Sequence, residues 1–146
     1  MKFLLLFSIF SVVFATTVFA NENTLRLTQD SLTYTLNGET GTLDVAPINI
    51  RGRTLIPFRF IGEAMGATVT HTPATETTPL IAHFYLDGIE IDIIMGTAIY
   101  HDDVNIGMAN IVDGRTLVPV RVAEMMGATV EWEPVTRSIY IIFTSE

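Results

Sequence analysis

One phrase occurs twice in this chain. Gly52-Arg53-Thr54-Leu55-Ile56-Pro57-Phe58-Arg59 leads to Glu63-Ala64-Met65-Gly66-Ala67-Thr68-Val69. About 62 residues later, Gly114-Arg115-Thr116-Leu117-Val118-Pro119-Val120-Arg121 leads to Glu124-Met125-Met126-Gly127-Ala128-Thr129-Val130. A repeat on this scale is one supersecondary unit used twice, each copy burying the other's apolar face. A duplicated unit signals a scaffold before it signals catalysis.

Each phrase carries its own start and stop signals. Ile56 precedes a proline and is pushed toward extended geometry, so a helix is expected from Pro57, a favoured first helical position. Gly66 ends it in the left-handed capping conformation, near Met65. Phe58, Ile61, Gly62 and Met65 fall at i, i+3, i+4 and i+7 and make one buried stripe. So short a helix does not hold in water alone and exists by packing on a sheet. The second copy, Pro119 to Met126, is one residue shorter. A strand follows each helix, Ala67 to His71 and Ala128 to Trp132.

Elsewhere the pattern is of hairpins. Thr33 to Leu36 alternates and meets Asn37-Gly38, with Thr42 to Val45 expected as the returning strand. Pro47 to Gly52 reads as a loop. Ile81 to Leu86 meets Asp87-Gly88, and Ile89, Ile91 and Ile93 then alternate with Glu90 and Asp92. Gly96 turns into Thr97 to His101, and Asp102-Asp103 turns into Val104 to Ile106. Ser138 to Phe143 returns after the loop Glu133 to Arg137. Eight or nine strands and two short helices result. Strands joined by short hairpins are antiparallel, so the expected class is α+β.

The first twenty residues stand apart. Lys2 precedes a nearly unbroken apolar run from Phe3 to Phe14, and Val18-Phe19-Ala20 resembles a small-residue cleavage site. This reads as a secretory signal peptide cut after Ala20. An uncleaved anchor is the rival, but the run is shorter than the ~20 residues of a bilayer span. The remaining chain, 21–146, is the size of one domain. It contains no cysteine, which excludes disulfides, thiolate zinc sites and cysteine nucleophiles. Seven arginines then face sixteen acids, a net of −9 once Lys2 is removed. Such a surface repels nucleic acid and anionic lipid. With no lysine left, Schiff-base chemistry is excluded as well.

Candidate chemistry is sparse. Arg59 and Glu63 are spaced i, i+4, and Arg121 and Glu124 i, i+3, which puts each pair on neighbouring turns. An anion clamp or acid–base pair is the functional reading. An arginine in a first turn opposes the helix dipole and needs a nearby partner, so a structural ion pair used twice is preferred. His71, His83 and His101 form no metal-ligand spacing. Asp102-Asp103-Val104-Asn105 lacks the glycine and closing glutamate of a calcium loop. Glu90 with Asp92, and Glu131 with Glu133, share strand faces and are paired carboxylates of the kind that hydrolyse glycosides. Trp132, Tyr140 and Tyr100 are candidates for an aromatic platform for sugar or peptide, or for ordinary packing.

The phrase Gly-Arg-Thr-Leu-Val/Ile-Pro-x-Arg, then Glu-x-x-Gly-Ala-x-Val, then Trp132-Glu133-Pro134, resembles the copper amine oxidase N-terminal-like domain, or stalk domain. The resemblance spans about Ser31 to Phe143 and recurs in both copies. It implies an antiparallel sheet curled around a short helix, set apart from a copper-bearing catalytic domain. It also implies an exported bacterial envelope protein. The oxidase's own signature, an Asn-Tyr quinone precursor and a His-x-His copper pair, is absent from the sequence. Copper and amine oxidation are therefore not carried over.

What carries over is structural: Gly52, Arg53, Pro57, Arg59, Glu63 and Gly66, their counterparts Gly114, Arg115, Pro119, Arg121, Glu124 and Gly127, and Trp132. His71 replaces that tryptophan in the first copy. The chain is thus expected to be an internally duplicated α+β domain with halves about 31–86 and 87–143. It is read as non-enzymatic and cofactor-free, secreted or wall-associated, with an envelope protein or polysaccharide as partner and no nucleic acid or membrane partner. A small extracellular hydrolase and a surface protein that self-associates through open sheet edges are the competing readings.

Overall fold

The computed structural model describes residues 21–145. The expected signal peptide, with cleavage after Ala20, falls outside the described residues. The chain runs β1 (Asn21–Thr28), β2 (Thr33–Leu36), β3 (Glu39–Thr42), β4 (Ile48–Ile50), β5 (Arg53–Pro57), α1 (Phe58–Ala64), β6 (Thr68–Thr72) and β7 (Ile81–Leu86). It continues β8 (Ile89–Ile94), β9 (Ala98–His101), β10 (Val104–Met108), β11 (Asn110–Val112), β12 (Arg115–Pro119), α2 (Val122–Met125), β13 (Thr129–Glu133) and β14 (Ser138–Ser145). The fold is mostly antiparallel sheet, curled, with two short helices. Among the described residues there are fourteen strands, against the eight or nine expected. No helix among them is long and apolar enough to cross a membrane.

At the centre the two phrases pair with each other. The four-stranded sheet has the order β11-β12-β5-β4. In its middle Ile56 faces Val118, while Leu55 faces Pro119 and Pro57 faces Leu117. Corresponding residues of the two phrases therefore meet at one point, and their neighbours exchange partners around it. This is the geometry of a self-complementary two-fold contact. Strand alternation then sends successive side chains to opposite faces. Ile56 and Val118, both fully buried, enter the main core with Leu25, Leu27, Ile61, Phe84, Ile93, Ile139 and Ile141. Leu55 and Leu117 enter a smaller cluster with Val45 on the other face.

The flanking sheets are β13-β14-β1-β2-β3 and β6-β7-β8, with β9 and β10 as a separate hairpin. β1 pairs along its whole length with β14, from Asn21 opposite Ser145 to Thr28 opposite Ser138. That strand was not anticipated. Its partner lies at the far end of the sequence, so no local turn announces it. Two three-residue strands, β4 and β11, occupy segments read as loop or left unassigned, and exist because each pairs with the phrase that follows it. The first hairpin turns at Asn37-Gly38 as expected, but its returning strand is Glu39–Thr42 rather than Thr42 to Val45. A two-residue turn starts the return at once, and Val45 instead fills the smaller core cluster.

The helices also start later than expected. Pro57, with ψ 120, is still extended and paired with Leu117, so it caps α1 rather than beginning it. In the second copy the extended segment reaches Pro119, and the missing residue leaves room for four helical residues only. Both helices end alike. The N–H of Gly66 donates to Glu63 O and that of Ala67 to Gly62 O. Gly127 and Ala128 do the same to Glu124 and Ala123. These are Schellman caps, and they require left-handed glycines, with φ 86 at Gly66 and 92 at Gly127. Gly62 has a separate role: a Cβ there would meet the Phe84 ring at 2.8 Å and clash with Val69. The missing side chain lets α1 lie directly on β6 and β7.

Candidate functional site

Two clefts flank the central sheet, and each is built from both phrases. The first, about 460 Å³, combines the corner Pro57, Phe58 and Arg59 with the turn Gly114, Arg115 and Thr116. The second, about 580 Å³, combines Pro119, Val120 and Arg121 with Gly52, Arg53 and Thr54. The walls correspond too: Val69 and His71 line the first cleft where Val130 and Trp132 line the second. Both volumes lie within the ~300–1,000 Å³ of ordinary ligand sites. Pairing β5 with β12 brings each corner against the other copy's turn, which is why neither cleft belongs to one copy.

Electrostatically the clefts differ. In the first, Arg115 pairs with Asp44 at 3.0 Å and Arg59 with Glu63 at 3.5 Å, and Arg59 also donates to Val69 O at 3.3 Å. Each arginine there has its own carboxylate. The second cleft is lined by Arg51, Arg53 and Arg121. Arg121 donates to both oxygens of Glu124 at 3.2 Å. Arg53 reaches a carbonyl, Asn105 O, at 3.0 Å. The guanidinium of Arg51 has no protein partner among the described residues. Three cations thus share one carboxylate in a protein that is acidic overall.

Arg51 also holds an unusual backbone. It has φ 52 at the first position of the Arg51-Gly52 turn, where two-residue hairpin turns favour Asn, Asp or Gly. Its counterpart in the second copy is Asp113, at φ 49. An arginine in a left-handed turn position is a local cost, one that Arg137 also carries at φ 54.

The residues expected to be structural are divided between these features. Pro57, Arg59, Glu63, Gly114 and Arg115 line the first cleft. Gly52, Arg53, Pro119, Arg121 and Trp132 line the second. Gly66 and Gly127 are the helix caps, and Glu124 is the partner of Arg121. Most of the repeated phrase thus shapes the two clefts as well as the central sheet.

Other candidates separate. Trp132 faces Ile139 across the strand pair while Tyr140 is its next neighbour along, on the opposite face, where Arg26 stacks 5.8 Å from its ring centre. Tyr100 lies on the β9 hairpin. The three do not make one platform. Glu133 is engaged by its own loop: Val135 N, Thr136 N and the Thr136 hydroxyl donate to it. These bonds, the Thr136 hydroxyl first, hold its carboxyl below the ordinary glutamate value of 4.5, the wrong direction for a general acid. Asp102 and Asp103 have φ 48 and 62 and form a turn.

The histidines do not converge, and no group of three or more metal-ligating side chains occurs among the described residues. His71 faces Ala82, so its neighbour His83 points to the other face of that sheet. His101 lies 3.6 Å from Asp102. Sequence reasoning missed one arrangement here. Thr72 Oγ1 is 2.7 Å from His83 Nε2, and His83 Nδ1 is 2.6 Å from Asp92 Oδ1. The order resembles a nucleophile, base and orienting acid, but His83 and Asp92 line neither cleft. Thr72, His83 and Asp92 join three neighbouring strands as a cross-strand polar ladder. The clefts were also missed, although Arg51 against Asp113 was a visible signal.

The fold and the paired clefts define an antiparallel β module organised around two Pro-x-Arg corners. The copper amine oxidase N-terminal domain family matches the chain over residues 14–80 and 95–143, and the chain belongs to that family. The family is the non-catalytic N-terminal domain of amine oxidases. The gap between the matched segments coincides with the β7–β8 hairpin, 81–94. Comparison with curated proteins and with solved structures gives no match.

Proposed function

We propose that this chain is an exported, non-enzymatic binding module of the bacterial cell envelope, built by internal duplication. The observation that carries the reading is the pairing of Ile56 with Val118. The repeated residues form the joint between two halves and frame a cleft on each side of it. The pairing of β1 with β14 matches that of β7 with β8, which supports halves of 21–86 and 87–145 rather than a first half beginning at 31. Membership of a non-catalytic domain family supports the absence of catalysis, and the leader-like start supports export.

The test is expression of the whole chain with a carboxy-terminal tag in a bacterial host. Export predicts tagged protein in the medium or wall fraction, beginning at Asn21, and retention of purified protein by isolated walls. Protein that stays inside the cell beginning at Met1, or that no wall fraction retains, contradicts the reading.

A further inference from the structure

We propose that the second cleft is a binding site for an acidic saccharide, with Trp132 stacking on a uronate ring and Arg51 and Arg53, the arginines free of a carboxylate, holding its acid group. The inference rests on the binding-module reading and names the ligand class for it. The molecule supplies its own control, because the first cleft has the same frame without the same chemistry. There Asp44 and Glu63 neutralise both arginines, and His71 stands where the indole would be. In the second cleft Glu124 engages Arg121 alone, which leaves Arg51 and Arg53 without a carboxylate, and Arg51 replaces the aspartate that the turn favours.

The chemistry of the wall selects the ligand. Guanidinium groups are planar forks that match carboxylates, and they bind strongly where several converge. Trp132 is 47% exposed although it is a large aromatic, and half-buried Val130 lies beside it on the cleft wall. A uronate carries a flat C–H face and a carboxylate on one rigid ring, so one residue of the saccharide covers indole and arginine together. An acidic peptide side chain offers the carboxylate without a flat face. The mature chain's charge of −9 excludes general attraction of anions, so binding must come from this local cluster.

Trp132 is the only tryptophan, so its emission reports on this cleft alone. The probe is trigalacturonate added to the purified domain, followed by tryptophan emission and by calorimetry. Binding that changes the emission and weakens as salt rises is expected. Neutral maltotriose should bind at least about tenfold more weakly, the loss expected when a charge-assisted contact is removed. Arg51→Asp should lower affinity at least about tenfold, and Trp132→His should do the same by calorimetry. Both variants install the residue this fold already accommodates in the other copy, and an unchanged melting temperature confirms that they fold. No heat and no emission change, equal binding of maltotriose, or unaltered affinity in either variant overturns the proposal. Triglutamate binding as tightly as trigalacturonate overturns the saccharide in favour of an acidic peptide. The titration uses purified protein, so its outcome is independent of whether the chain is exported.

Discussion

Replacing Ile56 and Val118 with alanine, singly and together, examines the joint between the two phrases. Both side chains are fully buried and face each other across β5 and β12. Ile56→Ala deletes three carbons, about 2.4 kcal/mol of transfer free energy at ~0.8 per buried methylene. The cavity left behind raises the loss to about 4 kcal/mol, within the range of core truncations. Val118→Ala deletes two carbons, and the same reasoning gives about 2.5 kcal/mol. Directly opposed residues share part of that packing, because once one is truncated the other has already lost its partner. The double variant should therefore lose about 5 kcal/mol rather than about 6.5, a coupling of about 1.5 kcal/mol. Urea unfolding of the four proteins measures the cycle, with equal slopes as the check that each unfolds in two states. Additivity within about 0.3 kcal/mol would mean that the two residues do not touch, and would refute the pairing.

Gly66→Ala and Gly127→Ala should each cost about 1 kcal/mol through the backbone alone. Nothing lies within 4 Å of a Cβ at either position, so thermal melts with unchanged stability would contradict the left-handed caps. Glu133→Gln tests the loop contact. Glu133 has its carboxyl held below 4.5 in the folded chain, so its stabilisation is fully present above that value and is lost as pH falls through the lower folded value. The variant should melt below the parent at pH 7 and converge with it in stronger acid; a constant gap would contradict the sign.

Much of the framework is legible from local signals. Asn37-Gly38, Asp87-Gly88 and Asp102-Asp103 announce turns because left-handed positions select those residues, and all lie at positive φ. Pro57 and Gly66 bracket the first helix to within a residue. What stayed hidden depends on partners distant in sequence. β1 acquires its place from β14, and the three-residue strands β4 and β11 acquire theirs from the phrases beside them. The clefts were hidden for the same reason. Arg53 belongs to the first phrase yet lines a wall with Arg121 of the second, and only the antiparallel register brings them together. Arg51 escaped because Arg-Gly is a poor turn signal, although the fold uses it as one.

The repeated phrases pair with each other and so build two clefts from one joint. Inter-strand nuclear Overhauser contacts in the labelled domain test this pairing most directly. The register of β5 and β12 requires contacts between Leu55 and Pro119, Ile56 and Val118, and Pro57 and Leu117. Contacts displaced from that register, or an absence of contacts between the two phrases, would contradict it.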